Sequence, residues 1–186
     1  MKIKLVLFYF LANMIAGMEI QISIDKQELK VVDDEKIVKT YVISSSSYGE
    51  GSAEGSFKTP LGEHFIKKKI GDGVELGGRF EGRVFYGEIY PIYEKDEVYV
   101  DDDVVQTRIL WLSGLEEGKN KGKGVDSFER YIYIHGTPEE WLLGTKASKG
   151  CIRMANKDVI ELFDIVEENT KAVSYTHLTL PTNGPV

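Results

Sequence analysis

The feature that most constrains this chain is an alternation of branched apolar residues near its start, where Ile20, Ile22 and Ile24 are separated by Gln21, Ser23 and Asp25. Successive residues of an extended strand face opposite ways, so the pattern buries one face and wets the other. Two more apolar runs, residues 29–32 and 37–43, flank the polar turn Asp33-Asp34-Glu35. Thr59-Pro60-Leu61-Gly62 punctuates the chain before Phe65 and Ile66 open another strand, and glycines between 71 and 87 alternate with apolar residues as in hairpins. Residues 104–112 are rich in β-branched and aromatic side chains and predict a long strand. Tyr131-Ile132-Tyr133-Ile134 lacks a polar interruption, which predicts a central strand buried on both faces. The chain is therefore expected to be mainly β.

Two helices are expected beside these strands. Thr137-Pro138-Glu139-Glu140 combines an N-cap, Pro at N1 and Glu at N3, with Gly144 able to close a short helix. Asn156 is placed to cap a second, whose Val159, Leu162, Phe163 and Val166 share one face. The Ser/Gly-rich residues 44–56 and the polar residues 116–124 read as loops.

The 186 residues suffice for one domain with a real core, and the net charge of −7 argues against a nucleic-acid groove. No metal motif and no glycine-rich nucleotide loop is present, so no cofactor is expected. Asp101-Asp102-Asp103 lacks the rest of a calcium loop and reads as a solvated turn. Lys2 and Lys4 followed by the largely apolar residues 5–15 read as an export signal or an uncleaved tether over residues 1–17, too short for a spanning helix of about 20 residues. Residues 174–186 do not continue the preceding helix and resemble translated adapter read-through, so His177 is given no role.

Cys151 is the only cysteine, which rules out a disulfide-built domain. It follows His135 by sixteen residues, behind Ser148-Lys149-Gly150. A free thiol has a pKa of about 8.5, and the thiolate is the nucleophile, so a neighbouring imidazole that takes the proton enables attack. Gly136 can let a backbone carbonyl meet the second ring nitrogen, and Gly150 can leave backbone N–H groups facing an oxyanion. A lone Cys is more often a small buried hydrophobe, and a lone His a structural residue, so the spacing alone is weak.

Residues 18–173 resemble the L,D-transpeptidase (YkuD-like) catalytic domain. The matches run in family order: the opening strand at residues 20–27, Thr59-Pro60-Leu61-Gly62, His135-Gly136-Thr137 and Ser148-Lys149-Gly150-Cys151-Ile152-Arg153. The resemblance implies a β-sandwich-like domain with Cys151 as nucleophile, His135 as base and acid, the Gly136 carbonyl orienting the imidazole, and Ser148, Gly150 and Arg153 lining the site. It implies peptidoglycan stem peptides as donor and acceptor, and a periplasmic or other extracytoplasmic location. The acyl group is expected to leave D-Ala and pass to an amine. Resolution by water, as in an L,D-carboxypeptidase or cross-link hydrolase, is the near alternative, and a non-catalytic wall-binding module the distant one. Many members carry His where this chain has Lys149. Arg153 has two readings, a structural partner of an acid such as Asp158 or a fork for a substrate carboxylate. Tyr133 and Trp141 read as packing residues and His64 as structural.

Overall fold

The computed structural model describes residues 17–100 and 103–177. The apolar segment 1–16, Asp101, Asp102 and residues 178–186 lie outside the described residues. The strands are β1 (Glu19–Ser23), β2 (Glu28–Asp33), β3 (Lys36–Ser44), β4 (Gly62–Ile70), β5 (Gly78–Glu81), β6 (Val84–Ile89), β7 (Val105–Gly114), β8 (Tyr133–Gly136), β9 (Ile152–Met154) and β10 (Lys171–Tyr175). One α-helix, α1 (Asn156–Ile165), lies between β9 and β10. Among the described residues no helix is long and apolar enough to cross a membrane.

The mainly β class is as expected, but the sheet is a closed, barrel-like one rather than an open sandwich. Its strands run β4-β10-β1-β2-β3-β9-β8-β7, and β7 pairs back onto β4. The β5–β6 hairpin adds to β7 from outside the ring. Closure is a matter of backbone pairing between distant segments, β10 lying parallel to β1 and antiparallel to β4. Ser174 and Tyr175 are the last two residues of β10.

Alternation works as the sequence predicts. Ile20, Ile22, Leu29, Val31, Ile43, Ile66, Leu110, Leu112, Ile134 and Ile152 meet in the main core, onto which α1 lays Val159, Leu162 and Phe163. A smaller cluster, Phe80, Ile109, Trp111 and Tyr133, forms on the other face of β7 and β8, so β8 is buried on both sides. Tyr131 stays outside that strand, 52% exposed and in the left-handed region at φ +58°.

Three local expectations change. The capped helix after Thr137 is only a 3-10 turn, Glu140–Leu142, without a side-chain cap, because Glu139 is drawn to Arg153 and Glu140 to Asn156. Nor does Asn156 cap α1: it is the helix's first residue, with its amide bonded across the fold to Thr107 and Thr137. The serine-rich loop after β3 is wet only in part: Ser47 and residues 53–55 are exposed. Ser45 and Ser46 are fully buried, and the Ser45 carbonyl accepts the N–H groups of Ala147 and Ser148.

His64 in β4 is structural, with Nδ1 3.0 Å from the Gly62 carbonyl and Nε2 3.0 Å from Ser127 Oγ. Burial pushes its pKa down to about 4. The unfolded chain, titrating near 6.5, binds a proton that the folded chain refuses between those two values. Stability is therefore expected to fall as pH drops from about 6.5 to about 4, by up to about 3 kcal/mol from this group. Urea unfolding of His64→Gln should show a shallower loss over that window than the native chain. Parallel pH curves would refute the assignment.

Candidate active site

Strands β8 and β9 run parallel, with Ile134 opposite Ile152 and His135 opposite Arg153. Because residues alternate, the two isoleucines enter the core while His135, Arg153 and Cys151, which directly precedes β9, share the opposite face. The parallel pairing thus sets Arg153 beside His135 and leaves Cys151 at the entry to β9, on the same face of the two strands.

The imidazole of His135 is fully buried, and its Nδ1 lies 2.7 Å from the Gly136 carbonyl. A carbonyl only accepts, so Nδ1 carries the proton and Nε2 presents a lone pair. That Nε2 is buried without a hydrogen-bond partner. Burial holds the imidazole pKa below its usual value, against the opposing charge of Asp103. A side chain at position 136 is excluded, because a Cβ would stand 2.3 Å from Asn156 Oδ1 and 2.9 Å from the Gln106 carbonyl.

Cys151 is half-buried and packs against the Phe80–Trp111–Tyr133 cluster. Its Sγ donates to the Tyr131 carbonyl at 3.3 Å and accepts the Tyr133 N–H at 3.3 Å. Burial, with the charge of Asp103, pushes the thiol up to about 12, against the Tyr133 N–H and the cations of Arg153 and Arg130. At neutral pH the Cys151 thiol is therefore protonated.

The segment before Cys151 is held by hydroxyls. Ser148 Oγ donates to the Cys151 carbonyl at 2.6 Å and accepts the Gly150 N–H at 3.2 Å, while Thr59 Oγ1 donates to the Gly150 carbonyl at 3.0 Å. The Gly150 amide is therefore committed to Ser148 rather than left facing a ligand, and its φ of +123° is where glycine is needed. Ser148 acts on the loop backbone. Thr59 gives the Thr-Pro-Leu-Gly turn its place in the site.

Arg153 is buried and ion-paired, but not to Asp158. Its Nη1 donates to Glu139 Oε2 at 2.8 Å, and its Nε to Asp103 Oδ1 at 2.8 Å, with Nη2 on the same Asp103 oxygen. The fork is full. Burial acts to raise the Asp103 carboxyl, but Arg153 and His135 together with hydrogen bonds hold it below the ordinary value. Asp103 Oδ2 also accepts the Lys149 N–H at 3.0 Å. Asp103 and Glu139 thus belong to the site although the sequence reading placed one in a solvated turn and the other in a helix cap. A signal existed: an arginine expected beside a catalytic thiol needs a buried acid.

A cavity of about 350 Å³ is lined by Asp103, Glu139, Lys149 and Arg153 on one side of the site. A second, of about 250 Å³, is lined by Phe80, Arg83, Ile109, Tyr131 and Tyr133, close to the thiol's own packing partners. Arg83, at the tip of the β5–β6 hairpin, stacks over Trp111 and Tyr131 and donates to the Tyr133 hydroxyl. Trp141 packs edge-on against Tyr99 and donates to the Val98 carbonyl. Among the described residues no group of three or more metal-ligating side chains occurs.

Comparison with known proteins gives this geometry a context. Two curated relatives match over a short stretch of 43 residues: the L,D-transpeptidase-named YkuD of Bacillus subtilis (strain 168) at 58% identity and that of Bacillus licheniformis at 44%. That stretch is 23% of this chain, and the chain spans about a quarter (26%) of the length of each relative. Among solved structures, L,D-transpeptidase 3 from Mycobacterium tuberculosis with a faropenem-derived adduct has a TM-score of 0.52 at 15% identity, over 85% of this chain and 60% of that one. An L,D-transpeptidase from Mycobacterium smegmatis has a TM-score of 0.50 at 16% identity, over 87% and 59%. Those identities speak to the fold alone. Residues 17–173 match the family described as YkuD, the L,D-transpeptidase catalytic domain. With that match covering most of the sequence, the chain belongs to the YkuD family of L,D-transpeptidase catalytic domains.

Proposed function

We propose that the protein is a peptidoglycan L,D-transpeptidase working outside the cytoplasmic membrane. The observation that carries the reading is the bare, buried Nε2 of His135 on the same face of the β8–β9 pair as the half-buried Cys151 thiol. In the first half-reaction Nε2 takes the thiol proton, and sulfur attacks the carbonyl after the L-centre of the stem's diamino acid. The carbon–nitrogen bond to D-Ala then breaks, and the imidazolium returns its proton to the departing amine. A thioester remains on Cys151. In the second half-reaction an acceptor amine, relieved of a proton by His135, attacks the thioester, and sulfur leaves with that proton. The N–H of Tyr133, already aimed at the sulfur, steadies the negative charge as it builds there.

Mass spectrometry of products from a disaccharide-tetrapeptide tests this directly. Cross-linked dimers and a Cys151-bound acyl intermediate are the expected result. Tripeptide without dimers would replace transfer by hydrolysis. A Cys151 that neither substrate nor a carbapenem acylates would leave only a wall-binding module.

A further inference from the structure

Behind His135 runs β7, the strand paired with β8. Thr107 is fully buried, β-branched and the third residue of β7, yet its φ is +69°, in the left-handed region that such residues avoid. The anomaly lies where the register of β7 against β8 slips, between Gln106 opposite Gly136 and Ile109 opposite His135. A strained bulge therefore faces the two residues that set the imidazole.

The bulge delivers a hydroxyl. Thr107 Oγ1 accepts the Gly77 N–H at 3.0 Å and donates its single proton to Asn156 Oδ1 at 2.5 Å. That bond fixes which way the Asn156 amide points. Its Nδ2 then donates to the Thr137 carbonyl and to Glu140 Oε1, each at 2.8 Å, and the Asn156 main-chain N–H reaches the same Glu140 oxygen at 2.7 Å. Asn156 is fully buried and lies so close to Gly136 that no Cβ fits between them. The Asn156 amide thus holds the Thr137–Pro138 peptide through its carbonyl and packs its Oδ1 against Gly136, so it braces the backbone on both sides of the Gly136–Thr137 peptide. The Gly136 carbonyl in that braced stretch is the partner of His135 Nδ1. If that carbonyl turned away, the ring proton would be free to move to Nε2, and the base would lose its lone pair.

We propose that Asn156, oriented by Thr107, is a positioning residue that holds His135 in its Nδ1–H tautomer. The functional weight of this rests on the transferase reading above, but the tautomer can be read without turnover. Imidazole nitrogen NMR of the full chain, assigned with His135→Gln, should show a protonated Nδ1 and a bare Nε2. Asn156→Ala and Thr107→Val should shift both nitrogens toward averaged values. Alkylation of Cys151 by iodoacetamide near neutral pH should slow about tenfold in both, the scale of a partly disarmed base. Thr107→Ser, which keeps the hydroxyl, should restore the native spectrum and rate. If Asn156→Ala does not fold, the valine and serine variants at Thr107 carry the test. Folded variants that lose thermal stability but keep the native tautomer and alkylation rate would overturn the proposal, as would Nε2–H in the native spectrum. A native chain with the expected spectrum that leaves stem peptides untouched would defeat the transferase reading instead.

Discussion

Acylation of Cys151 is expected to slow by roughly 10²- to 10⁴-fold when His135 is replaced by glutamine, the span that a positioned base contributes. The reason is the state of the sulfur. Burial pushes the thiol to about 12, so at pH 7 spontaneous ionisation supplies only on the order of 10⁻⁵ of the population as thiolate. A nucleophile that scarce needs its proton removed during attack, and Nε2 is the buried acceptor without another bond. The native rate should also fall on acidification as the imidazole protonates, with its inflection below about 6.5 because burial depresses this histidine. Adduct formation with a carbapenem, followed by mass spectrometry from pH 4 to 9 with circular dichroism to check the fold, measures both effects. A glutamine variant that acylates within a few-fold of the native rate would remove the base.

The largest stability effect is expected at Arg153. Its guanidinium is the bond partner of Glu139 and Asp103, whose side chains are only 5% and 19% exposed. Arg153→Met preserves much of the volume but strands two carboxylates together, and breaking a buried ion pair in this way costs about 3–5 kcal/mol. Without the cation that lowers it, burial would raise the folded pKa of Asp103 above its unfolded value. Its stabilising contribution is then present at low pH and lost as pH rises through that raised value, so the deficit should be wider at pH 7 than at pH 4. Urea titrations at the two pH values give the comparison, and equal midpoints for variant and native chain would show that the triad holds nothing together.

How legible the fold was depended on whether a residue's fate was set locally. Ile20, Ile22 and Ile24 announced a one-sided strand because strand periodicity is a local property, and all three are buried. His135 and Cys151 were legible as a motif, and the parallel β8–β9 pairing sets both on one face. Ring closure was not legible, since the β4–β7 and β10 pairings join segments far apart in sequence and backbone hydrogen bonds leave no mark on side chains. Glu139, Glu140 and Asn156 misled for a different reason. Each has a good local use at a helix start, and each is taken instead by a buried partner: Arg153, Asn156 and Thr107 respectively. Asp103 was hidden among three consecutive acids, and nothing in the sequence marks it as a partner of Arg153.

The position of β10 between β1 and β4 sets an order on events during synthesis. As the polypeptide is made from its amino end, β8 and β9 can associate as soon as both have emerged. The ring around them still has a gap one strand wide, which only residues 171–175 can fill. The strands that carry His135 and lead out of Cys151 are thus in place before the ring around them is complete, and the piece that finishes the ring is the last strand made.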